Sequence, residues 1–106
     1  MPKYLVRASY TAAGAAGLLR EGGSKRATAV TNLIKSVGGT VESMYWAFGT
    51  DDFFLVTDLP DAAAAAAASL TVGASGAASV TTSELLTATQ VDEAVRRTVE
   101  YRPPGA

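Results

Sequence analysis

Apolar and polar positions alternate between two rhythms along this chain. Lys3–Tyr10 is rich in Tyr, Leu and Val and predicts a first strand. Residues 11–23 have a partly helical spacing at Ala15, Leu18 and Leu19, interrupted by Gly14 and Gly17. They predict a short, irregular helix ending at Gly22-Gly23. Ser24 then offers an N-cap, and Val30, Leu33, Ile34 and Val37 recur at i, i+3, i+4 and i+7. That spacing predicts the main first helix, stopped by Gly38-Gly39.

Residues 40–48 and 53–59 are two apolar, aromatic-rich runs, joined by the turn Gly49-Thr50-Asp51-Asp52. Pro60-Asp61 opens a helix over the alanine run 62–68, extended to Leu70 or Val72. Gly73 and Gly76 mark a loop, and residues 78–86 predict a fourth strand. Thr87-Ala88-Thr89-Gln90 has the form of a capping box, followed by a helix to about Val99. Asp92–Arg96 and Glu93–Arg97 are spaced for i, i+4 pairs, and Pro103-Pro104 closes the segment.

Stripped of the extra helices, this order is βαββαβ. It predicts a single α+β domain over residues 1–106, of the ferredoxin-like plan. Four antiparallel strands form one sheet, with the helices on one face and an extra C-terminal helix. The other face is left open. One set of strand positions holds Tyr4, Val6, Ala8, Tyr45, Phe53 and Leu55; the other holds Leu5, Met44, Trp46, Phe48, Phe54 and Val56. Both sets are apolar, and soluble monomers rarely expose such a face. The expectation is a homodimer or higher homo-oligomer with sheets packed face to face, a dimeric α+β barrel.

Composition narrows the chemistry. The chain has no cysteine and no histidine. A His-dependent triad, an ordinary zinc site, an iron–sulfur cluster and a haem on His or thiolate are excluded. No cofactor is implied, although a carboxylate-bound Mg²⁺ or Ca²⁺ stays formally open. A net charge of −1 without a basic run argues against nucleic acid as a partner. Residues 62–83 carry no charge, but they are weakly apolar and split by Gly73 and Gly76, so no membrane span is expected. With no disulfide and no apolar leader near Met1, a cytoplasmic location is expected.

Several residues are candidates for a site, each with a plainer structural reading. Asp51 and Asp52 read as cation ligands, as a general base, or as turn residues bonding local amides. Lys25 and Arg26, after Gly22-Gly23, read as an anion site at a helix N-terminus or as a solvated face. Arg7 and Glu84 lie on strands expected to be adjacent. They read as a structural ion pair, or as a polar spot in a pocket with Arg7 holding an anion and Glu84 acting as base. Tyr10, Tyr45, Trp46, Phe48, Phe53 and Phe54 read as an aromatic pocket or as core and interface. Tyr101 and Arg102 read as a tail docked on a partner subunit or as a free end.

A set of short segments also carries a family likeness. These are Tyr4-Leu5-Val6-Arg7-Ala8-Ser9-Tyr10-Thr11, Gly17-Leu18-Leu19-Arg20-Glu21-Gly22-Gly23, Gly38-Gly39-Thr40-Val41-Glu42-Ser43, Ala47-Phe48-Gly49, Asp58-Leu59-Pro60-Asp61, Ser75-Gly76-Ala77 with Thr81-Thr82, and Tyr101-Arg102-Pro103-Pro104-Gly105. Together and in this order they resemble the GYD-domain family over nearly the whole chain. The resemblance implies a dimeric α+β barrel, in agreement with the order of elements. In the Gly-Tyr-Asp type motif of that family, Gly49 and Asp52 fit and Asp51 stands in the place of the tyrosine. The resemblance implies no activity.

Three functions remain open on the residues alone. The first is a small oligomer that binds a small molecule or a partner without chemistry. The second is a cofactor-independent isomerase or oxygenase for an aromatic or enol-like metabolite, using Arg7, Glu84 and a tyrosine. The third is a structural assembly protein.

Overall fold

The computed structural model describes the whole chain, Met1–Ala106. Its elements are β1 (Lys3–Tyr10), α1 (Ala12–Glu21), α2 (Gly23–Ser36), β2 (Thr40–Trp46), β3 (Phe53–Asp58), α3 (Ala62–Ala74), β4 (Ala78–Leu85) and α4 (Ala88–Val95). The four strands form one antiparallel sheet in the order β2-β3-β1-β4. This is the ferredoxin-like arrangement with an added C-terminal helix.

Local chemistry explains most element ends. Thr11 caps α1, its hydroxyl accepting from the Gly14 amide at 3.2 Å. Gly22, at φ 83°, ends α1 and starts α2 in one residue. Ser24 therefore lies inside α2 and is not its cap. The segment read as irregular is a regular ten-residue helix. Gly14 is why it sits where it does: a Cβ there would overlap the Ala77 carbonyl, so only glycine lets α1 approach the start of β4. The Thr11 amide donates to that same carbonyl at 3.0 Å, and the Thr11 hydroxyl donates to the Gly76 carbonyl at 2.7 Å.

Asp61 caps α3 by accepting from the Ala64 amide at 2.8 Å. Thr87 and Gln90 form the reciprocal capping box of α4. Glu93 and Arg97 pair at 3.0 Å, whereas no Asp92–Arg96 pair forms. α4 stops at Val95, short of the Val99 that the apolar spacing suggests. A short helix with nothing to pack on frays early. Every residue from Leu86 onward is exposed, and Val91, Val95, Val99 and Tyr101 face solvent. The radius of gyration is 16.8 Å, against about 13 Å for a compact chain of this length. The C-terminal arm accounts for the excess.

The core is thin, with 12 of 106 residues buried. Tyr4 and Ala8 of β1, Phe53 and Leu55 of β3, Ile34 of α2 and Ala65 of α3 make its centre. Thr57 is fully buried, and its hydroxyl donates to the Thr40 carbonyl at 2.7 Å.

Register corrects the expected division of the sheet faces. Cross-strand partners share a face, and β2 pairs Met44 with Leu55, Tyr45 with Phe54 and Trp46 with Phe53, after an irregularity between Val41 and Ser43. Met44 and Trp46 thus join the helix-covered face, and Tyr45 joins the open one. Phe48 lies beyond the strand and is exposed. The open face carries Leu5, Tyr45, Phe54 and Val56 at its middle, with Ser79, Thr81 and Ser83 along β4. It is less apolar than the sequence suggests.

Candidate functional site

Helices α2 and α3 lie over the same sheet face, but α3 presents alanine there. Ala65 and Ala68 are its buried residues, and a methyl side chain does not reach across to α2. A cleft of about 260 Å³ remains between the two helices, floored by the strands. Val30 and Leu33 of α2, Val6 and Ala8 of β1, Phe53 of β3 and Ala68 of α3 line it.

The few polar groups around this cleft are almost all engaged. Ser69 and Thr82 share a hydrogen bond of 2.7 Å across α3 and β4. The hydroxyls of Thr71 and Ser75 donate to helix carbonyls, at 2.8 and 2.6 Å. The Tyr10 hydroxyl accepts from Trp46 Nε1 at 3.0 Å. Arg26 is the exception and the one charged residue of the lining. Its Nε is buried and has no hydrogen-bond partner. Glu21 Oε2 lies 3.4 Å away, an ion pair between side chains 36% and 32% exposed.

The residues singled out from the sequence are spread over three places. Arg26 and Tyr10 reach the cleft; Lys25 is exposed and does not line it. Trp46 packs tilted against Phe53, ring centroids 5.2 Å apart and planes at 57°, on the helix-covered face. Tyr45 and Phe54 are on the open face, so the six aromatic residues do not form one pocket.

Arg7 and Glu84 are not neighbours. Arg7 pairs in register with Thr81, and Glu84 pairs with Tyr4. The two charges point to opposite faces, because Arg7 and Tyr4, the β1 partner of Glu84, are an odd number of positions apart. Arg7 meets Asp51 at 3.7 Å on the open side. Glu84 accepts from the Tyr4 hydroxyl at 3.2 Å on the helix side. Burial, and then the Glu84 carboxylate, hold the Tyr4 phenol above its ordinary 10.0. Asp52 works locally: its carboxylate accepts from the Tyr10 amide at 2.9 Å, and its own amide donates to the Ala8 carbonyl at 2.8 Å. No group of acidic residues is placed to hold a metal ion together. Tyr101 and Arg102 stand on the projecting arm.

What the residue-by-residue reading missed is the cleft itself. Its two walls were both visible, as the Val/Leu stripe of α2 and the alanine run of α3. Nothing local says how far apart they stand.

A family model described as the GYD domain matches residues 4–95. The chain belongs to the GYD-domain family. The match runs from β1 to the last residue of α4, so it takes in both walls and the floor of the cleft. No curated protein and no solved structure matches the chain. No helix of this GYD domain is long and apolar enough to cross a membrane.

Proposed function

We propose that this GYD-domain protein binds a small apolar molecule in the cleft between α2, α3 and the sheet, and works as a homodimer. One observation carries the reading: an apolar cavity of about 260 Å³ at the centre of a thin core. The cleft opens to solvent, so its apolar lining meets water, and a ligand that covers it gains about 25 cal/mol for each Å² of apolar surface removed from water. Binding to the folded state then adds to the stability of a small domain. Scaled from the roughly 150 Å³ that holds a benzene ring, the space suits about ten heavy atoms.

A binding role is favoured over chemistry. The acid–base set suggested by the sequence, Arg7 with Glu84, is divided between two faces, and neither residue lines the cleft. The dimer reading rests on the open face. Leu5, Tyr45, Phe54 and Val56 form an apolar strip there, bracketed by the ion pairs Lys3–Asp58 and Arg7–Asp51. Apolar centres with a charged rim are the anatomy of a subunit interface.

Native mass spectrometry and calorimetry test both parts. Octanamide, a neutral chain of suitable size, is expected to bind wild-type protein, and Ala68→Leu, which fills the cleft, is expected to abolish binding while leaving the fold intact. Octanamide bound equally by Ala68→Leu would overturn the cleft reading. Light scattering that finds only monomer at micromolar concentration would overturn the dimer.

A further inference from the structure

We propose that the cleft selects a small amphipathic carboxylic acid, its hydrocarbon body over the sheet and its carboxylate on Arg26. This rests on the cleft as a small-molecule site and adds the chemistry of the ligand. The inference follows from an inventory of polar groups. The lining hydroxyls of Ser69, Thr82, Thr71 and Ser75 spend their protons on protein partners, whereas that of Tyr10 accepts from Trp46 and keeps its own O–H. That phenol is the one hydroxyl of the lining with a proton left to donate to a neutral polar ligand. The guanidinium of Arg26 is different, with a buried Nε that donates to nothing.

A buried donor without an acceptor is costly, and more so on a charged group. Glu21 supplies charge at 3.4 Å without supplying the hydrogen bond. A ligand carboxylate would satisfy the guanidinium in its forked geometry, which suits two oxygens in a plane. The remaining walls are apolar, so the rest of such a ligand must be hydrocarbon. A phosphate monoester or a sugar acid fits poorly, since each carries several hydroxyls or a second charge into a lining with one cation and few free hydrogen-bonding groups. Glu21 is then a competitor for Arg26, displaced on binding.

Calorimetry with octanoate and octanamide tests this, with phenylpropanoate as a second acid. The acids are expected to bind wild-type protein about tenfold more tightly than the amide. Arg26→Met, which keeps the apolar stem, should remove that preference, bringing acid and amide to the same affinity. Glu21→Gln should strengthen acid binding and leave the amide alone. Equal affinity for acid and amide in wild-type protein would overturn the carboxylate inference while the apolar cleft stands. A preference that survives Arg26→Met, in protein whose circular dichroism is unchanged, would also overturn it. Failure of every probe to bind would remove the cleft reading and this inference together.

Discussion

The indole of Trp46 donates a hydrogen bond of 3.0 Å to the hydroxyl of Tyr10, although their strands are not adjacent. β3 lies between β2 and β1, and Phe53 on β3 packs at a tilt against the Trp46 ring. The bond closes the helix-side face over Phe53 and ties the edge strand to the strand that lines the cleft. Tyr10→Phe removes the acceptor and leaves a half-buried indole N–H unpaired. A loss of about 1 kcal/mol is expected in denaturant unfolding, with a change in tryptophan emission in the native state. An unchanged midpoint would show that water replaces the Tyr10 hydroxyl without cost.

Gly14 is the tightest contact between α1 and the rest of the domain. Its missing side chain makes room for the Ala77 carbonyl, the same oxygen that accepts from the Thr11 amide. Gly14→Ala should raise helix propensity and still destabilise, because overpacking costs about 1–3 kcal/mol and outweighs the gain of about 1 kcal/mol from replacing glycine in a helix. Gly17, with open space where a Cβ would stand, is the matched control. Gly17→Ala should stabilise. Thermal unfolding of the two variants separates the effects, and a stabilised Gly14→Ala would refute the packing argument.

Alkaline pH should weaken the fold through two groups. The carboxylate of Asp58, bonded at 3.0 Å and helped by Glu42, holds the Lys3 ammonium above its ordinary 10.5. Its contribution is complete below 10.5 and disappears as pH rises through the folded value. Tyr4 moves the same way, since burial and Glu84 favour the neutral phenol. Its contribution is complete below 10.0 and disappears above the folded value. Unfolding midpoints should therefore fall above pH 10. Lys3→Met with Tyr4→Phe should flatten that fall, and an identical alkaline slope in the double variant would count against both assignments.

The C-terminal arm should be dispensable for the body of the domain. α4 and the tail are exposed along their whole length. Removing residues 88–106 should change the unfolding free energy of dilute protein by less than about 0.5 kcal/mol. A larger loss seen only at concentrations where copies associate would place Val91, Val95 and Tyr101 against a second subunit.

The sequence carried the element order, the caps of α3 and α4 and the family likeness because each is written in residues close together, whereas the cap expected at Ser24 falls to Gly22. Asp61 and Ala64 are three positions apart, as are Thr87 and Gln90, and both caps form where the residue types place them. The α2 stripe holds a buried Ile34 for the same reason. The site was less legible. Arg26 was visible as a cation at a helix start, but not as the one charged side chain lining an apolar cleft. Arg7 and Glu84 were visible as charges on adjacent strands, but not as residues on opposite faces.

Those differences have one physical source. Periodicity and capping act within a few residues of chain, so the local pattern determined that this polypeptide makes four strands with helices between and after them, and composition determined that histidine and cysteine chemistry is absent. Which strand positions share a face depends on cross-strand register, and whether two helices touch depends on side-chain volume summed over distant segments. Only the folded sheet decided that Trp46 lies with Phe53 and Tyr45 lies away from it. Only the separation of an alanine helix from a valine–leucine helix, across strands that neither belongs to, left room for a ligand.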